Sequence, residues 1–209
     1  MAGADEALLG LFPLGLVLLP GEVVPLHIFE ERYKRLVGER RDRGQLGIIL
    51  SEDDGLRECG CAARVAEVIE TLEDGRMNVL VQGGRRFRVL ELREPDDPVA
   101  EYLSALVEYY DDALPDAPPQ LRAAALDVFR RMLLLMDIEL PSETAGAGPL
   151  SFRIAAAVGF GAPLKQELLE TLSEEQRLDT LLRVMEALLP RLELRKEREA
   201  AIRGNGKGD

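Results

Sequence analysis

The chain has 209 residues, of which 46% are hydrophobic and only 5% aromatic, with no tryptophan. This composition is typical of a globular protein with an aliphatic core, and it excludes a disordered or collagen-like chain. The formal net charge is −12, and residues 1–113 contribute −10 because they hold 13 Lys and Arg against 23 Asp and Glu. Such an acidic chain repels phosphate, so we expect no general affinity for nucleic acid or for anionic membranes.

The apolar stretch from Ala7 to Leu19 is expected to be neither a secretion signal nor a membrane span. Two acidic residues precede it, where a signal peptide carries positive charge. Pro13 interrupts it, and it is shorter than the roughly 18–20 apolar residues that cross a bilayer. The only cysteines, Cys59 and Cys61, are too close in sequence to cross-link a fold, which is typical of reduced thiols. We therefore predict a cytoplasmic protein that does not enter a membrane.

Residues 11–37, LFPLGLVLLPGEVVPLHIFEERYKRLV, predict two short strands and a helix. Pro13, Pro20 and Pro25 each remove a backbone donor and restrict φ, so we expect short edge-type strands joined by fixed turns. Apolar residues then recur at i, i+4, i+7 and i+8, the spacing of one buried helical face. This predicted face comprises Phe29, Tyr33, Leu36 and Val37.

The rest of the first half predicts further strands. Strand-like runs lie at 46–50, 64–71, 76–82, 86–92 and 102–109. Asp74-Gly75 supplies the positive φ angles that a tight hairpin turn requires, and Gly83-Gly84 is expected to break the following strand. Short, closely spaced strands with one inserted helix predict a small closed or half-closed β-barrel.

The second half predicts helices that follow an acidic, proline-rich segment at 111–120. Adjacent prolines at 118 and 119 favour a helix start there, because the first helical residue needs no amide donor. Ser173 and Gln176 have the spacing of a capping box. Three further helices are expected, at 149–158, at 163–171 and from 173 to 192.

We predict an α+β protein of two domains. The amino-terminal domain, residues 8–113, is expected to be a β-barrel with one inserted helix. A proline-rich linker at 114–120 leads to a carboxy-terminal α-helical bundle at 121–203, and 204–209 is expected to be a disordered tail.

Four pieces of sequence resemble, in the same order, the Lon amino-terminal (substrate-binding) domain family. The opening segment resembles that family's strand, "P-G-x-x-x-P-L" turn and "h-F-E-x-R-Y" helix, and RMNVLVQGGRRFRVLEL resembles its hairpin, with Gly83 and Arg86 at matching positions. LKQELLE at 164–170 and RLDTLLRVMEALL at 177–189 resemble the two helical signatures that close the module.

The resemblance implies a PUA-like barrel and a module that recognises exposed hydrophobic segments of unfolded or damaged proteins. It also implies that the opening motif builds the scaffold rather than the binding site. The residues assigned to that scaffold are Pro20, Gly21, Pro25, Phe29, Glu30, Arg32 and Tyr33.

In the full Lon protease this module precedes an ATPase domain and a Ser-Lys protease domain. The phosphate-binding pattern GxxxxGK[ST] does not occur here, since Gly204-Asn205-Gly206-Lys207 lacks its spacing. None of the four lysines lies in surroundings that resemble the family's dyad. We therefore expect a stand-alone, non-catalytic protein with no cofactor.

His27, the only histidine, cannot form a metal site without further ligands nearby, so a packed or capping histidine at the strand–helix junction is expected. Cys59 and Cys61 lie on the same face of a strand and supply two of the three or four ligands that a metal needs. They are interpreted as ordinary semi-buried thiols, with a redox-sensitive pair as the alternative. No metal site is predicted.

Arg85, Arg86 and Arg88 form the one dense basic cluster in the acidic half, with Phe87 between them. Basic residues interleaved with an aromatic are typical of RNA-binding surfaces, and some PUA-like barrels bind RNA. Alternation places Phe87 inward and Arg86 and Arg88 on the opposite face. The cluster is therefore either a partner-binding surface or a solvated, salt-bridged face.

The sequence thus favours non-catalytic recognition of unfolded or peptide segments. The expected partners are unfolded protein or peptide clients, or a partner protease. A groove between the barrel and the helical bundle is a hypothetical binding site for an apolar segment. The alternative function is a PUA-like RNA-binding protein that uses the cluster of Arg85, Arg86 and Arg88.

Overall fold

A computed structural model describes residues 5–41, 44–98, 101–110, 117–138 and 148–205. Within these ranges the strands are β1 (Glu6–Leu14), β2 (Val23–Ile28), β3 (Leu46–Glu52), β4 (Gly55–Thr71), β5 (Met77–Arg93) and β6 (Ser104–Tyr109). The helices are α1 (Glu31–Arg40), α2 (Pro119–Leu135), α3 (Leu150–Val158), α4 (Ala162–Glu170) and α5 (Glu174–Asn205). Both a strand-rich part and a helical part were expected from the sequence.

The strands form a mixed sheet in the order β2-β5-β4-β3-β1-β6, in which β6 also pairs with β5. β1 and β3 are parallel, and every other pair described is antiparallel. The edge-strand prediction is wrong for β1, which lies between β3 and β6. Leu11 N–H donates to Leu103 O across 2.7 Å on the β6 side. Pro13, two residues on, has its missing donor on that same side, beyond the last β1–β6 pair, so it costs no ladder bond.

The hairpin that joins β4 to β5 is confirmed, because Gly75 adopts φ +79° between two antiparallel strands. The break expected at Gly83-Gly84 is wrong, since β5 runs without interruption through both residues. Gly83 N–H donates to Glu22 O across 2.8 Å, and Gly83 O accepts from Gly21 N–H across 2.9 Å. A Cβ at position 83 would overlap the Leu19 carbonyl oxygen. Glycine there allows the turn before β2 to reach β5.

Side chains from five of the strands form a cluster of buried aliphatic and aromatic residues. Its buried members are Leu9, Leu11, Ile49, Ala62, Phe87, Ala105 and Val107. Helix α1 buries Tyr33, Leu36 and Val37, three of the four residues predicted for its apolar face. Phe29 is the exception: it is 59% exposed, because the helix begins only at Glu31 and Phe29 precedes it.

The helical part follows the predicted helix starts, and a glycine ends one of its helices. Pro118 and Pro119 precede and open α2, and Gly159 ends α3 at φ +71°. Gln176 N–H donates to Ser173 Oγ across 3.4 Å at the start of α5. That helix continues to Asn205, so it includes two residues of the expected tail, and 206–209 lie outside the described residues.

The described elements form two compact units, which divide the chain differently from the predicted domains. One unit holds the six strands, α1 and α4, and the other holds α2, α3 and α5. The predicted bundle at 121–203 included α4. In the structure α4 packs against β4, since its partners are residues of the sheet. Residues 114–116 of the predicted linker lie outside the described residues.

Candidate recognition surface

The three arginines of the predicted basic cluster have three different environments. Arg85 is exposed, pairs with Asp5 and lies over the Tyr109 ring at 4.5 Å. Arg88 is also exposed and pairs with Glu108 across 2.8 Å. Arg86 is fully buried, at 0% exposure. These side chains therefore do not form one continuous basic surface.

The prediction that Arg86 lies on a solvated face is wrong, although the alternation behind it is right. Arg86 is on the side of β5 opposite the buried Phe87, but α4 covers that side. Its Nη1 donates to Leu169 O across 2.6 Å, near the end of α4. Its guanidinium also lies 4.7 Å from the centroid of the Tyr110 ring. A buried guanidinium needs such acceptors to offset its desolvation, and α4 supplies one.

Two further contacts attach α4 to the sheet. Lys165 forms an ion pair with Glu22, and both side chains are about nine-tenths buried. Gln166 Nε2 donates to Cys59 O across 3.1 Å. We use the name "α4 clasp" for Glu22, Cys59 and Arg86 with Lys165, Gln166 and Leu169.

The α4 clasp unites three of the sequence pieces that carry the family resemblance: the opening turn, the hairpin and LKQELLE. Cys59 Sγ donates to Leu169 O across 3.4 Å, so this thiol also belongs to the clasp. Cys59 and Cys61 form no disulfide and are both buried, whereas semi-buried thiols were expected. Motifs that are far apart in sequence thus contact one another in the α4 clasp, where they hold the fold together.

The remaining residues of the opening motif have mostly structural contacts. Gly21 adopts φ +82° in the turn before β2. Glu30 precedes α1 and accepts from Arg32 Nη2 across 2.6 Å, while Arg32 Nη1 donates to Pro98 O across 3.2 Å. Tyr33 stacks on Phe12 with ring centroids 4.1 Å apart, and burial raises the pKa of its phenol.

The outer surface of β2, β5 and β4 combines apolar and polar side chains in three cross-strand rows. The strand registers place His27, Asn78 and Glu70 in one row; Pro25, Leu80 and Glu67 in the next; and Val23, Gln82 and Arg64 in the third. Hydrogen bonds between side chains mark the outer rows. Asn78 is bonded to both His27 and Glu70, and Arg64 to Gln82.

Several apolar side chains of this surface are exposed. Val23 is 50% exposed, and Ile69, at the β4 bulge beside Glu70, is 55% exposed. Phe29 continues the surface beyond β2, with its ring centroid 6.0 Å from that of His27. His27 is therefore not the packed or capping residue that was expected, since it lies exposed on β2 and its ring is hydrogen-bonded to Asn78. We use the name "β2 face" for Val23, Pro25, Phe29, Ile69 and Leu80 with the polar side chains of the three rows.

A second, smaller apolar strip crosses β1, β6 and β5. Leu8 is directly opposite Leu106, and Leu90 lies at the β5 bulge that faces Leu106. Leu8 and Leu90 are exposed. This strip contains no aromatic residue.

A polar cleft of about 380 Å³ lies beside β4, β5 and the end of α4. Its lining includes Arg57, Arg88 and Tyr110 together with Asp54, Glu58 and Glu170. Arg57 pairs with Glu52 across 2.8 Å, so both guanidiniums of the cleft already contact a carboxylate of the chain.

A buried polar network in the helical unit was not anticipated from the sequence. Glu174 accepts from Ser151 N–H across 2.9 Å, which caps the amino terminus of α3, and pairs with Arg177 across 2.9 Å. Arg177 also donates to Thr171 O across 2.7 Å and lies 4.5 Å from the Phe152 ring centroid. The capping pattern at Ser173 signalled a helix start, but it did not signal this partnership between two helices.

Across the described ranges no three His, Cys, Asp or Glu side chains are grouped so that they could hold a metal ion. In the same part of the chain, no helix combines the length and the apolarity needed to span a membrane.

The family model of the ATP-dependent protease La (LON) substrate-binding domain matches residues 9–187. The chain belongs to this family. The match confirms the resemblance seen in the four sequence pieces, and it places the β2 face and the α4 clasp within a Lon substrate-binding domain.

Curated relatives of this Lon-type domain are Lon proteases. Identity is 28% over 216 residues to the Lon protease of Anaeromyxobacter dehalogenans, which covers 95% of this chain and 25% of the relative. Identity to the Lon protease of Paraburkholderia phytofirmans is 30% over 233 residues, which cover 98% of this chain and 27% of that relative. The chain thus spans about a quarter of the length of the curated relatives it matches.

Solved structures show the same fold. A Lon N-terminal domain protein from Xanthomonas campestris is similar with a TM-score of 0.65 at 26% identity, over 85% of this chain and 98% of that one. The N-terminal domain of Lon protease from the Mycobacterium avium complex is similar with a TM-score of 0.62 at 21% identity, over 86% of this chain and 98% of that one.

Proposed function

We propose that this Lon-type domain binds exposed apolar segments of unfolded proteins or peptides, without cleaving them, through the β2 face. The proposal depends on one observation above all: a domain of a substrate-binding family exposes Val23, Phe29 and Ile69 on one surface. Exposed apolar surface of this kind marks interaction sites, and aromatic side chains dominate their binding energy.

Side-chain contacts, rather than addition of a strand to β2, are the proposed binding mode. Gly83 N–H donates to Glu22 O. Because bonding groups alternate along an antiparallel pair, residues 23, 25 and 27 direct their backbone groups away from β5. Pro25 therefore interrupts the row of donors on this side of β2, which prevents a regular ladder with another strand. The apolar side chains remain available to a client.

The β2 face is favoured over the strip formed by Leu8, Leu90 and Leu106 because it contains an aromatic residue and more exposed apolar side chains.

Arg85 and Arg88 remain proposed partner contacts, each already paired with a carboxylate. A PUA-like barrel belongs to the proposal as well, and it is supported by the pairing of β6 with both β1 and β5. A cytoplasmic location and cooperation with a partner protease are also part of the proposal.

Binding of a reduced, alkylated and therefore permanently unfolded protein tests the proposal. Fluorescence anisotropy of the labelled client should rise with added domain, and the folded form of the same protein should not compete. Gel electrophoresis after prolonged incubation should show an intact client. The double variant Phe29→Ser/Ile69→Ser should weaken binding by about tenfold or more, since each lost anchor costs about 1 kcal/mol or more.

Leu134→Ser is the matched control, because Leu134 is exposed on α2 in the other compact unit. It should leave the affinity unchanged. Equal binding by the control and the β2-face variant would refute the assignment of this surface, and failure of the unmodified domain to bind the unfolded client would refute the function.

A further inference from the structure

The charges of the β2 face specify the chemistry of its clients. Building on the proposed function, we propose that this face selects apolar segments that carry lysine or arginine over segments with neutral or acidic flanks.

Carboxylates border the apolar part of the β2 face on the β4 side. Glu67 is directly opposite Leu80 in the strand register. Glu70 accepts a hydrogen bond from Asn78 Nδ2 across 3.0 Å in the next row. Glu73 follows in the turn after β4. All three are exposed, and none forms an ion pair with a Lys or Arg of the described residues.

The neighbouring basic groups are already engaged. Lys34 pairs with Glu31 across 2.7 Å, and Arg76 pairs with Asp74 across 2.7 Å. Arg64, in the third row, is hydrogen-bonded to Gln82. Gln82 is neutral, so Arg64 keeps its positive charge, but the three glutamates outnumber it and leave the unpaired groups of this surface with a net negative charge.

Lysine and arginine match this arrangement because each side chain has two parts. The aliphatic stem lies along apolar surface while the charged end stays in water. A basic residue of a client would place its stem over Leu80 or Ile69 and its cation beside Glu67 or Glu70. An acidic flank at the same place would meet like charge, which disfavours binding.

Three peptides with one apolar core and different flanks test the proposal. The flanks are lysine, serine and glutamate, and affinity is measured by fluorescence anisotropy at low and physiological salt. We expect the lysine peptide to bind about fivefold more tightly than the serine peptide at low salt, since exposed ion pairs contribute modestly. Its advantage should shrink as salt screens the charges.

The isosteric double variant Glu67→Gln/Glu70→Gln should bring the ratio of lysine to serine affinities to about one. Glu186→Gln/Glu197→Gln removes two exposed charges from α5 and serves as the matched control, which should keep the ratio. Equal affinity of the lysine, serine and glutamate peptides would overturn the charge preference while leaving the proposed function intact. Binding of none of them would overturn the proposed function itself.

Discussion

Arg86 is the residue whose role changes most between sequence and structure. Its buried guanidinium donates to Leu169 O and contacts the Tyr110 ring. Arg86→Met keeps a long apolar stem but removes the donor from a buried carbonyl. We expect a loss of about 2–4 kcal/mol in the free energy of unfolding, because a buried polar group left without its partner is costly. Urea denaturation followed by circular dichroism measures this loss.

Arg88→Met is the control for that experiment. Arg88 is exposed and paired with Glu108, and surface ion pairs contribute about 1 kcal/mol or less. If the two substitutions destabilised the domain equally, the structural role of Arg86 would be contradicted.

Gly83 makes a second prediction at the scale of one residue. A methyl group there would overlap the Leu19 carbonyl oxygen, which belongs to the backbone and cannot rotate away. Gly83→Ala should therefore destabilise the domain by about 3 kcal/mol or prevent folding, as overpacking at a close backbone approach does. The melting temperature measures the effect.

Gly15→Ala provides the comparison, because nothing lies within 4 Å of a Cβ at position 15. It should leave the melting temperature nearly unchanged. An unchanged melting temperature for Gly83→Ala would show that the turn at residues 19–22 does not approach β5 as described.

At the scale of elements, α4 is held on the sheet by the α4 clasp. Lys165 and Glu22 form its buried ion pair. Lys165→Met or Glu22→Gln alone should each cost about 3 kcal/mol of unfolding free energy, because one charge stays buried without its partner. The double variant should cost clearly less than the sum of the single losses, as for residues in direct contact. Guanidinium denaturation of the four proteins in this double-mutant cycle gives the coupling energy.

An additive cycle would contradict a direct Lys165–Glu22 contact. Hydrogen exchange offers an independent check, since amides of α4 should exchange faster in either single variant than in the unmodified domain. The exchange of the helices in the other compact unit should stay the same.

At the scale of the whole molecule, the four tyrosines are expected to make the folding stability depend on pH in the alkaline range. Burial is the largest cause that raises the pKa of Tyr33, Tyr102, Tyr109 and Tyr110 above the usual value near 10. A raised pKa means that the folded state holds the neutral phenol. The resulting stability is fully present below pH about 10 and is lost as pH rises through the folded pKa values.

Absorbance at 295 nm between pH 9 and 12 is a clean measurement of that titration, because the chain contains no tryptophan. The native protein should ionise at higher pH than the urea-unfolded protein, and its melting temperature should fall above pH about 10. Coincident titration curves would contradict the burial of these phenols.

Local signals in the sequence predicted much of the fold because their causes are local. Asp74-Gly75 sets the hairpin turn through the glycine's positive φ, and Pro119 opens α2 because the first helical residue needs no donor. Gly159 ends α3 for the same reason that Gly75 turns the hairpin. The family resemblance extended these local predictions to a substrate-binding domain, since four motifs occur in the right order.

The sequence by itself determined the type and order of most elements and the face of β5 on which each side chain lies, since these follow from the φ/ψ preferences and side-chain alternation of neighbouring residues. Only the tertiary structure decided which faces are covered. Arg86 lies on the predicted side of β5 but is buried under α4, whereas Phe29, predicted for a buried face, is exposed before α1 begins. Burial depends on packing between segments that are more than 80 residues apart, as Arg86 and Leu169 are, and no local pattern encodes that contact. For this reason Arg86, expected at a surface with Arg85 and Arg88, became part of the scaffold, and the opening motif expected to be scaffold contributes Pro25 and Phe29 to the proposed binding face.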